Sequence, residues 1–464
     1  MSGIFGAYSV KNQPVLEEVY LGLYALQHRG QESAGIAWAH DGHAASARGF
    51  GLLHNAIDQH KLSLENANCA IGHVRYVPLE SSQLHNVLPV CANYARGPIA
   101  IAHDGLVTNV DSLKSQLEAR GAIFQSATNS EAILHMVAQK SHMEPVDAIV
   151  DALKRLEGSY AIAVLLEDAL VAARDPYGFK PLVLGERDGT YYAASESCAL
   201  DIVGAKLLRD VEPGEIVIIN SRGMKSLRVR HERPSRCMHC SFEYVYTARP
   251  DSIIDGRSVY EARKEMGRRL ALKAPCANAD LVAGMPDSGT ISAIGYAQAA
   301  HAPFEMAVVR NRYVGRTFIQ PTQKVRELGV KIKLNPIEEL FKDKRAVIVD
   351  DSIVRGTTAE RIVTMIRNCG AGEVHLRIAA RAPSLPLRHR HAQGGDARRG
   401  PHDARRALPQ GRRGLARLPY GRRPRRGHRP PGGQALYGLL QRQISRKILR
   451  GNSVGQAQLR EIRS

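Results

Sequence analysis

The 464-residue chain is poor in aromatic side chains: Trp occurs once, and Phe, Tyr and Trp together make up 5% of it. Hydrophobic residues still total 44%, so aliphatic side chains must fill most of any core. No apolar run approaches the ~18 residues of a membrane-spanning helix. No secretory leader is visible either, so the cytoplasm is the expected compartment. Seven cysteines without a paired framework argue against a disulfide scaffold and suit a reducing compartment. Acidic residues are scarce in one region only. After residue 380 lie 21 of the 64 Lys and Arg but 3 of the 45 Asp and Glu, which places +18 of the net charge of +19 in that tail. The preceding 380 residues are nearly neutral, so a basic character is not a property of the whole chain.

The most informative stretch is Arg345-Ala-Val-Ile-Val-Asp-Asp-Ser-Ile-Val-Arg-Gly-Thr-Thr358. Ala346 to Val349 form an apolar, β-branched run of the kind found inside a parallel sheet. Thr357 and Glu360 have capping-box spacing, Ile362, Val363 and Ile366 continue with helical periodicity, and Gly370 ends the helix. The loop between strand and helix offers backbone N–H groups and hydroxyls at a helix N-terminus, where a phosphate binds readily. Asp350 and Asp351 stand just before it, placed to hold a sugar's vicinal hydroxyls or a magnesium ion. An ordinary strand-to-helix turn would not need that pair of acids. The motif resembles the phosphoribosyl pyrophosphate motif of type I phosphoribosyltransferases.

Other segments narrow the resemblance. Gly22-Leu-Tyr-Ala-Leu-Gln-His-Arg-Gly-Gln-Glu-Ser-Ala-Gly35 and Phe242-Glu-Tyr-Val-Tyr-Thr-Ala-Arg-Pro-Asp-Ser252 are similar to the glutaminase signature and interdomain segment of the amidophosphoribosyltransferases. Met285-Pro-Asp-Ser-Gly-Thr290 resembles their pyrophosphate-side loop, and Asn311 to Thr322 their substrate-closing loop. These matches run in order from residue 2 to about Ala379. The resemblance implies an α/β chain of two domains. Residues 1–232 would form an N-terminal-nucleophile α/β/β/α four-layer glutaminase domain, and 233–380 a type I phosphoribosyltransferase parallel-sheet domain. It also implies a homo-oligomer, phosphoribosyl pyrophosphate and glutamine or ammonia as substrates, purine nucleotides as inhibitors, and purine biosynthesis as the setting.

By that resemblance the phosphoribosyl site is complete. Asp350 and Asp351 would contact the ribose hydroxyls and, with Ser288, a Mg²⁺ ion, which prefers oxygen ligands. Ser352, Arg355, Gly356, Thr357 and Thr358 would cradle the 5′-phosphate. Arg316 and its loop would close over pyrophosphate and exclude water. Arg310 stands where the family usually has lysine, retaining charge but not geometry.

The glutaminase site departs from its pattern. The family's nucleophilic N-terminal cysteine is here Ser2, whose hydroxyl is far less acidic than a thiol's ~8.5. The oxyanion segment His-Asn-Gly-Asn becomes His103-Asp-Gly-Leu106, which puts Asp104 in place of a neutral donor beside Gly105. Losing one oxyanion donor costs ~3–4 kcal/mol, and an added anion should cost more. Thr128-Asn-Ser-Glu131 places Asn129 where an aspartate would pair with the glutamine ammonium, while Arg75, expected to hold its carboxylate, is kept. The expectation is that glutamine hydrolysis is impaired; a serine amidohydrolase with another amide substrate is the alternative. For the whole chain, the competing reading is a non-catalytic regulatory paralogue that binds phosphoribosyl pyrophosphate.

The basic tail, 381–464, is rich in Arg, Gly and Pro and lacks helix or strand periodicity. It could serve as a nucleic-acid arm, but codons favour another origin. Back-translating Ser384-Leu-Pro-Leu-Arg-His-Arg-His-Ala-Gln393 and reading one base later permits Pro-Cys-His-Tyr-Gly-Ile-Asp-Met-Pro-Lys, the family segment missing here. The same shift at Leu436 to Arg446 permits a Cys-Thr-Ala-Cys cluster motif. The tail is therefore read as out of frame from near Ala380. Many members of the family hold a [4Fe–4S] cluster on four cysteines; Cys240 matches the first, and the other three would fall in the shifted region. Four thiolates are the usual requirement. The pair Cys237 and Cys240 alone is weak evidence for zinc.

Overall fold

The computed structural model describes residues 2–62, 65–76, 83–228, 237–311, 313, 334–353 and 357–380, with the side chains of Thr357 and Thr358 outside the description. Arg316, Arg355, Gly356 and the tail from 381 also lie outside it. The chain divides into two compact units: Met1–Glu243 with Thr247–Val259, and Tyr244–Tyr246 with the chain from Tyr260. The sequence-based division at 232/233 falls within the undescribed stretch 229–236.

In the first unit the strands are β1 Ser2–Ser9, β2 Ser33–His40, β3 His43–Phe50, β4 Cys69–Arg75, β5 Val90–Tyr94, β6 Gly97–Val107 and β7 Gly158–Leu166. They continue as β8 Ala169–Arg174, β9 Val183–Arg187, β10 Thr190–Ala194, β11 Lys206–Asp210, β12 Glu215–Asn220 and β13 Gly223–Arg228. A short hairpin, β14 Ile253–Ile254 and β15 Arg257–Ser258, follows. One sheet has the order β11-β9-β10-β1-β4-β2-β3 and the other β13-β12-β8-β7-β6-β5. Both are antiparallel throughout.

The period of two in the strands builds four layers. Along β7, Tyr160, Ile162 and Val164 pack with the helices Asn129–Ala138 and Pro145–Lys154, while Ala161, Ala163 and Leu165 face the other sheet. Along β1, Ile4 and Tyr8 join that inner layer, and Phe5 and Ala7 pack outward with the helix Leu16–Ala25. The inner layer is rich in alanine: Ala100, Ala102, Ala161, Ala163, Ala172 and Ala193 are all fully buried in it. Small side chains there are one reason the chain needs so few aromatics. This is the α/β/β/α arrangement of the N-terminal-nucleophile class.

The second unit holds β16 Leu281–Gly284, β17 Val308–Arg310, β18 Leu334–Pro336, β19 Arg345–Asp350 and β20 Glu373–Ile378. Three of these form a parallel sheet in the order β16-β19-β20. Strand β19 is covered on both faces, as the continuous apolar run requires. Ala346 and Ile348 pack with the helix Thr357–Asn368, and Val347 and Val349 with residues of the helices Val259–Lys273 and Thr290–Ala300. Each fully buried Val or Ile there contributes roughly 1.5–3 kcal/mol. Gly370, at φ +78°, follows the last helix and lets the chain turn back.

Candidate active sites

In the first unit the N-terminal strand brings Ser2 beside Arg75: the two are register partners across β1 and β4, and Arg75 also faces Ser33 of β2. The turn after the helix Leu16–Ala25 packs against this edge. A Cβ on Gly30 would meet the Arg75 backbone at 2.4 Å, so the His28-Arg-Gly30 turn can lie there only with glycine at its third position.

That turn inserts Arg29 into the protein interior, where it is fully buried. Its Nε donates to the Ser2 carbonyl at 2.7 Å, and its terminal nitrogens donate to Glu196 at 2.6 Å, Glu243 at 2.9 and 3.2 Å, and Asp104 at 3.4 Å. A second cation, Lys180, stands 3.7 Å from Asp104 and 3.5 Å from Glu243. His28 reaches Glu196 at 2.7 Å. Burial works against ionising Asp104, yet Lys180 and Arg29 hold its carboxyl well below the usual carboxylate range. Glu196, buried but bonded to His28 and Arg29, is held low in the same way. The Asp104 carboxylate therefore sits as a buried, paired anion between two cations. Arg29, Lys180, Glu196 and Glu243 were not singled out from sequence. Arg29 and Glu243 do lie within the two quoted segments, Gly22–Gly35 and Phe242–Ser252, but neither was picked out of them.

Gly105 has φ +145°, and a Cβ on it would lie 2.0 Å from the Ser159 carbonyl oxygen, so no other residue fits beside β7. Leu106, next to it, is 62% exposed where the family pattern has a polar residue. Burial lowers His103 to about 4 and His73 to about 3, so both are neutral at pH 7. Asn129 is the first residue of the helix Asn129–Ala138 and is half-buried. The loop before it is fixed by Glu131, whose carboxylate accepts from the amides of Gln125 and Ser126, both at 2.7 Å.

In the second unit, Asp350 ends β19 and Asp351 follows it, and the Met285–Thr290 loop follows the parallel neighbour β16. The Met285 amide donates to the Val349 carbonyl at 2.8 Å, and a Cβ on Gly289 would lie 2.4 Å from the same oxygen. Ser288 is thus held at the carboxyl edge of two adjacent parallel strands, beside the acid pair, where α/β sheets bind ligands. Burial and the neighbouring Asp351 push the Asp350 carboxyl well above the carboxylate range, and burial pushes Asp351 up as well. The Asp351 Oδ2 atom is buried without a hydrogen-bond partner. Two crowded carboxylates with an orphaned oxygen fit a cation or a pair of hydroxyls. Ser352 is half-buried after them.

Cys240 is half-buried and Cys237 exposed, and burial raises the Cys240 thiol. No group of three or more His, Cys, Asp or Glu able to hold a metal occurs among the described residues. Of the four expected cluster positions, Cys240 alone lies among the described residues; the other three would fall in the tail outside them.

Residues 85–201 match the glutamine amidotransferase domain family, and 267–396 the phosphoribosyl transferase domain family. The chain is 45% identical over 392 residues to the amidophosphoribosyltransferase of Bacillus subtilis, covering 83% of this chain and 80% of that protein. The chain belongs to the amidophosphoribosyltransferase family. A chloroplastic amidophosphoribosyltransferase of Glycine max is 47% identical over 362 residues, 77% of this chain and 63% of that longer protein. Among solved structures, the B. subtilis glutamine phosphoribosylpyrophosphate amidotransferase complexed with ADP and GMP superposes with a TM-score of 0.76 at 44% identity, over 83% of each chain. A structure described as the allosteric regulatory enzyme of purine biosynthesis gives a TM-score of 0.77, also at 44% identity, over 83% of this chain and 82% of that one.

Proposed function

We propose that this chain makes 5-phosphoribosylamine from phosphoribosyl pyrophosphate and ammonia in purine biosynthesis, and that glutamine is a poor nitrogen donor for it. The observation that carries the phosphoribosyl half is the acid pair Asp350–Asp351, with the unpartnered Oδ2 of Asp351, at the carboxyl edge of β19. In this reading the two carboxylates hold the ribose hydroxyls. Ser288 and the loop around it face the pyrophosphate, and the backbone and hydroxyls of 352–358 take the 5′-phosphate. Magnesium, held by Asp350, Asp351 and Ser288 together with substrate oxygens, would supply charge neutralisation on the leaving group. Ammonia attacks C1 of the ribose, the bond from C1 to the pyrophosphate oxygen breaks, and the amine loses a proton to solvent. Positioning supplies most of the rate.

Three altered positions support the impaired glutaminase half. Ser2 provides a weak nucleophile, Asp104 a buried anion in place of an oxyanion donor, and Asn129 no charge for the substrate ammonium. Purine nucleotides as inhibitors, a homo-oligomeric assembly and a cytoplasmic location complete the reading; no helix among the described residues is long and apolar enough to cross a membrane. The B. subtilis relative was solved with ADP and GMP, which supports nucleotide control. The iron–sulfur cluster is not part of the proposal for this chain as written, because Cys240 stands without its three partners.

The test is product formation from phosphoribosyl pyrophosphate and Mg²⁺ with ammonium chloride or with glutamine as the nitrogen source. Turnover with ammonium chloride and little with glutamine supports the proposal. Binding of phosphoribosyl pyrophosphate without turnover would replace it with the regulatory paralogue, and equal rates with both donors would overturn the impaired glutaminase.

A further inference from the structure

Arg310 ends β17, and its Nη1 makes an ion pair with the carboxylate of Asp287. Asp287 stands in the Met285–Thr290 loop, next to Ser288, and is 74% exposed. The Arg310 side chain as a whole is much less exposed, at 28%, and its Nε is buried with no hydrogen-bond partner. Two features make this contact unusual. The cation's Nε donor is buried and left unsatisfied, which is unfavourable for a buried polar group. The anion satisfying its other side is a carboxylate on the loop that the phosphoribosyl reading assigns to pyrophosphate.

A guanidinium fork binds two oxygens of a carboxylate or a phosphate in the same plane. An ion pair with one partner this exposed is a weak contact, so a more highly charged anion can take it over. We propose that Asp287 is a built-in competitor for pyrophosphate: its carboxylate occupies Arg310 in the ligand-free chain, and the diphosphate of an incoming ligand displaces it. Arg310 then gains phosphate oxygens for the donors Asp287 leaves unused, and Asp287 swings to solvent. The inference rests on the phosphoribosyl reading of the second unit and adds to it a residue pair that sets affinity for the diphosphate. Asp287 acts through Arg310 and is a positioning residue. The arginine at 310 also acquires a reason, since a lysine ammonium offers no planar fork for the exchange.

The experiment is calorimetric binding of inorganic pyrophosphate with Mg²⁺ to the full chain and to three variants. D287N should bind about fivefold tighter, because the competitor is removed. R310M should bind at least about tenfold more weakly, because the acceptor of the exchange is gone. R310M/D287N should match R310M, since Asp287 has nothing left to compete for. If D287N binds no tighter, the proposal falls. A gain from D287N that persists in the R310M background also overturns it, because the effect would then be general electrostatics and not competition for Arg310. Absence of pyrophosphate binding by the parent chain would instead overturn the phosphoribosyl reading beneath it, so the two failures are distinguishable.

Discussion

Arg29 grips Glu243 with both terminal nitrogens, at 2.9 and 3.2 Å, while its Nε donates to the carbonyl of Ser2 at 2.7 Å. One buried guanidinium thus links the start of the chain to a carboxylate 214 positions later. Removing it would leave Glu196 and Glu243 buried without their main cation. R29M is expected to cost about 3–5 kcal/mol, as other broken buried pairs do. Urea unfolding of the first unit's tertiary signal measures this; a loss below about 1 kcal/mol would mean the network is solvated and dispensable.

The same network sets acid stability. Asp104 and Glu196 have folded-state pKa values below their unfolded ones. Their contribution is therefore complete above the unfolded carboxylate value of ~4 and is lost as pH falls towards their folded values. Melting temperatures between pH 3 and 7 should drop steeply below about pH 4, and E196Q should flatten that drop while lowering stability at pH 7. An unchanged acid slope in E196Q would remove Glu196 from the account.

Restoring the nucleophile alone should not restore glutamine hydrolysis. S2C supplies a thiol, yet Asp104 remains an anion locked between Lys180 and Arg29, and Asn129 remains uncharged. Glutamine turnover by S2C is expected within about tenfold of the parent, whereas S2C/D104N/N129D should gain about 10²–10³. A full return of activity in S2C would show that serine is the sole defect.

The acid pair should trade stability against function. D351N removes one of two crowded, buried carboxylates, so the ligand-free chain should melt at a higher temperature. Turnover with ammonium chloride should fall by about 10²-fold or more, since on the proposed reading the lost contact would serve the bound sugar or its metal. Equal losses of stability and turnover would point to misfolding instead.

Resequencing the gene across codons 370 to 464 tests the tail. One base restoring Pro-Cys-His-Tyr-Gly-Ile-Asp-Met-Pro and Cys-Thr-Ala-Cys returns the three missing cysteines and with them the expected cluster site. An unchanged frame leaves the basic arm in place and calls for salt-dependent nucleic-acid binding measurements.

The second unit was legible where its signals are local. The apolar run 346–349, the acid pair, the capping-box spacing and Gly370 each act within a few residues, and β19 and the helix Thr357–Asn368 form where those patterns place them. The Asp104 environment was not legible. Its cations come from Arg29, 75 positions earlier, and from Lys180 in the segment before β9, and nothing local to His103-Asp-Gly announces either. The Arg310–Asp287 pair escaped for the same reason: each residue was noted in its own motif, and only the fold joins them.

The alanine layer between the two sheets bears on how such a chain drifts. Its members carry no polar group, and the first unit's other buried clusters are apolar layers of the same kind. A scaffold whose cohesion is independent of its catalytic groups can lose a nucleophile or an oxyanion donor without coming apart. Selection on the second unit would then keep the first intact as a passenger, and its active centre would be free to decay.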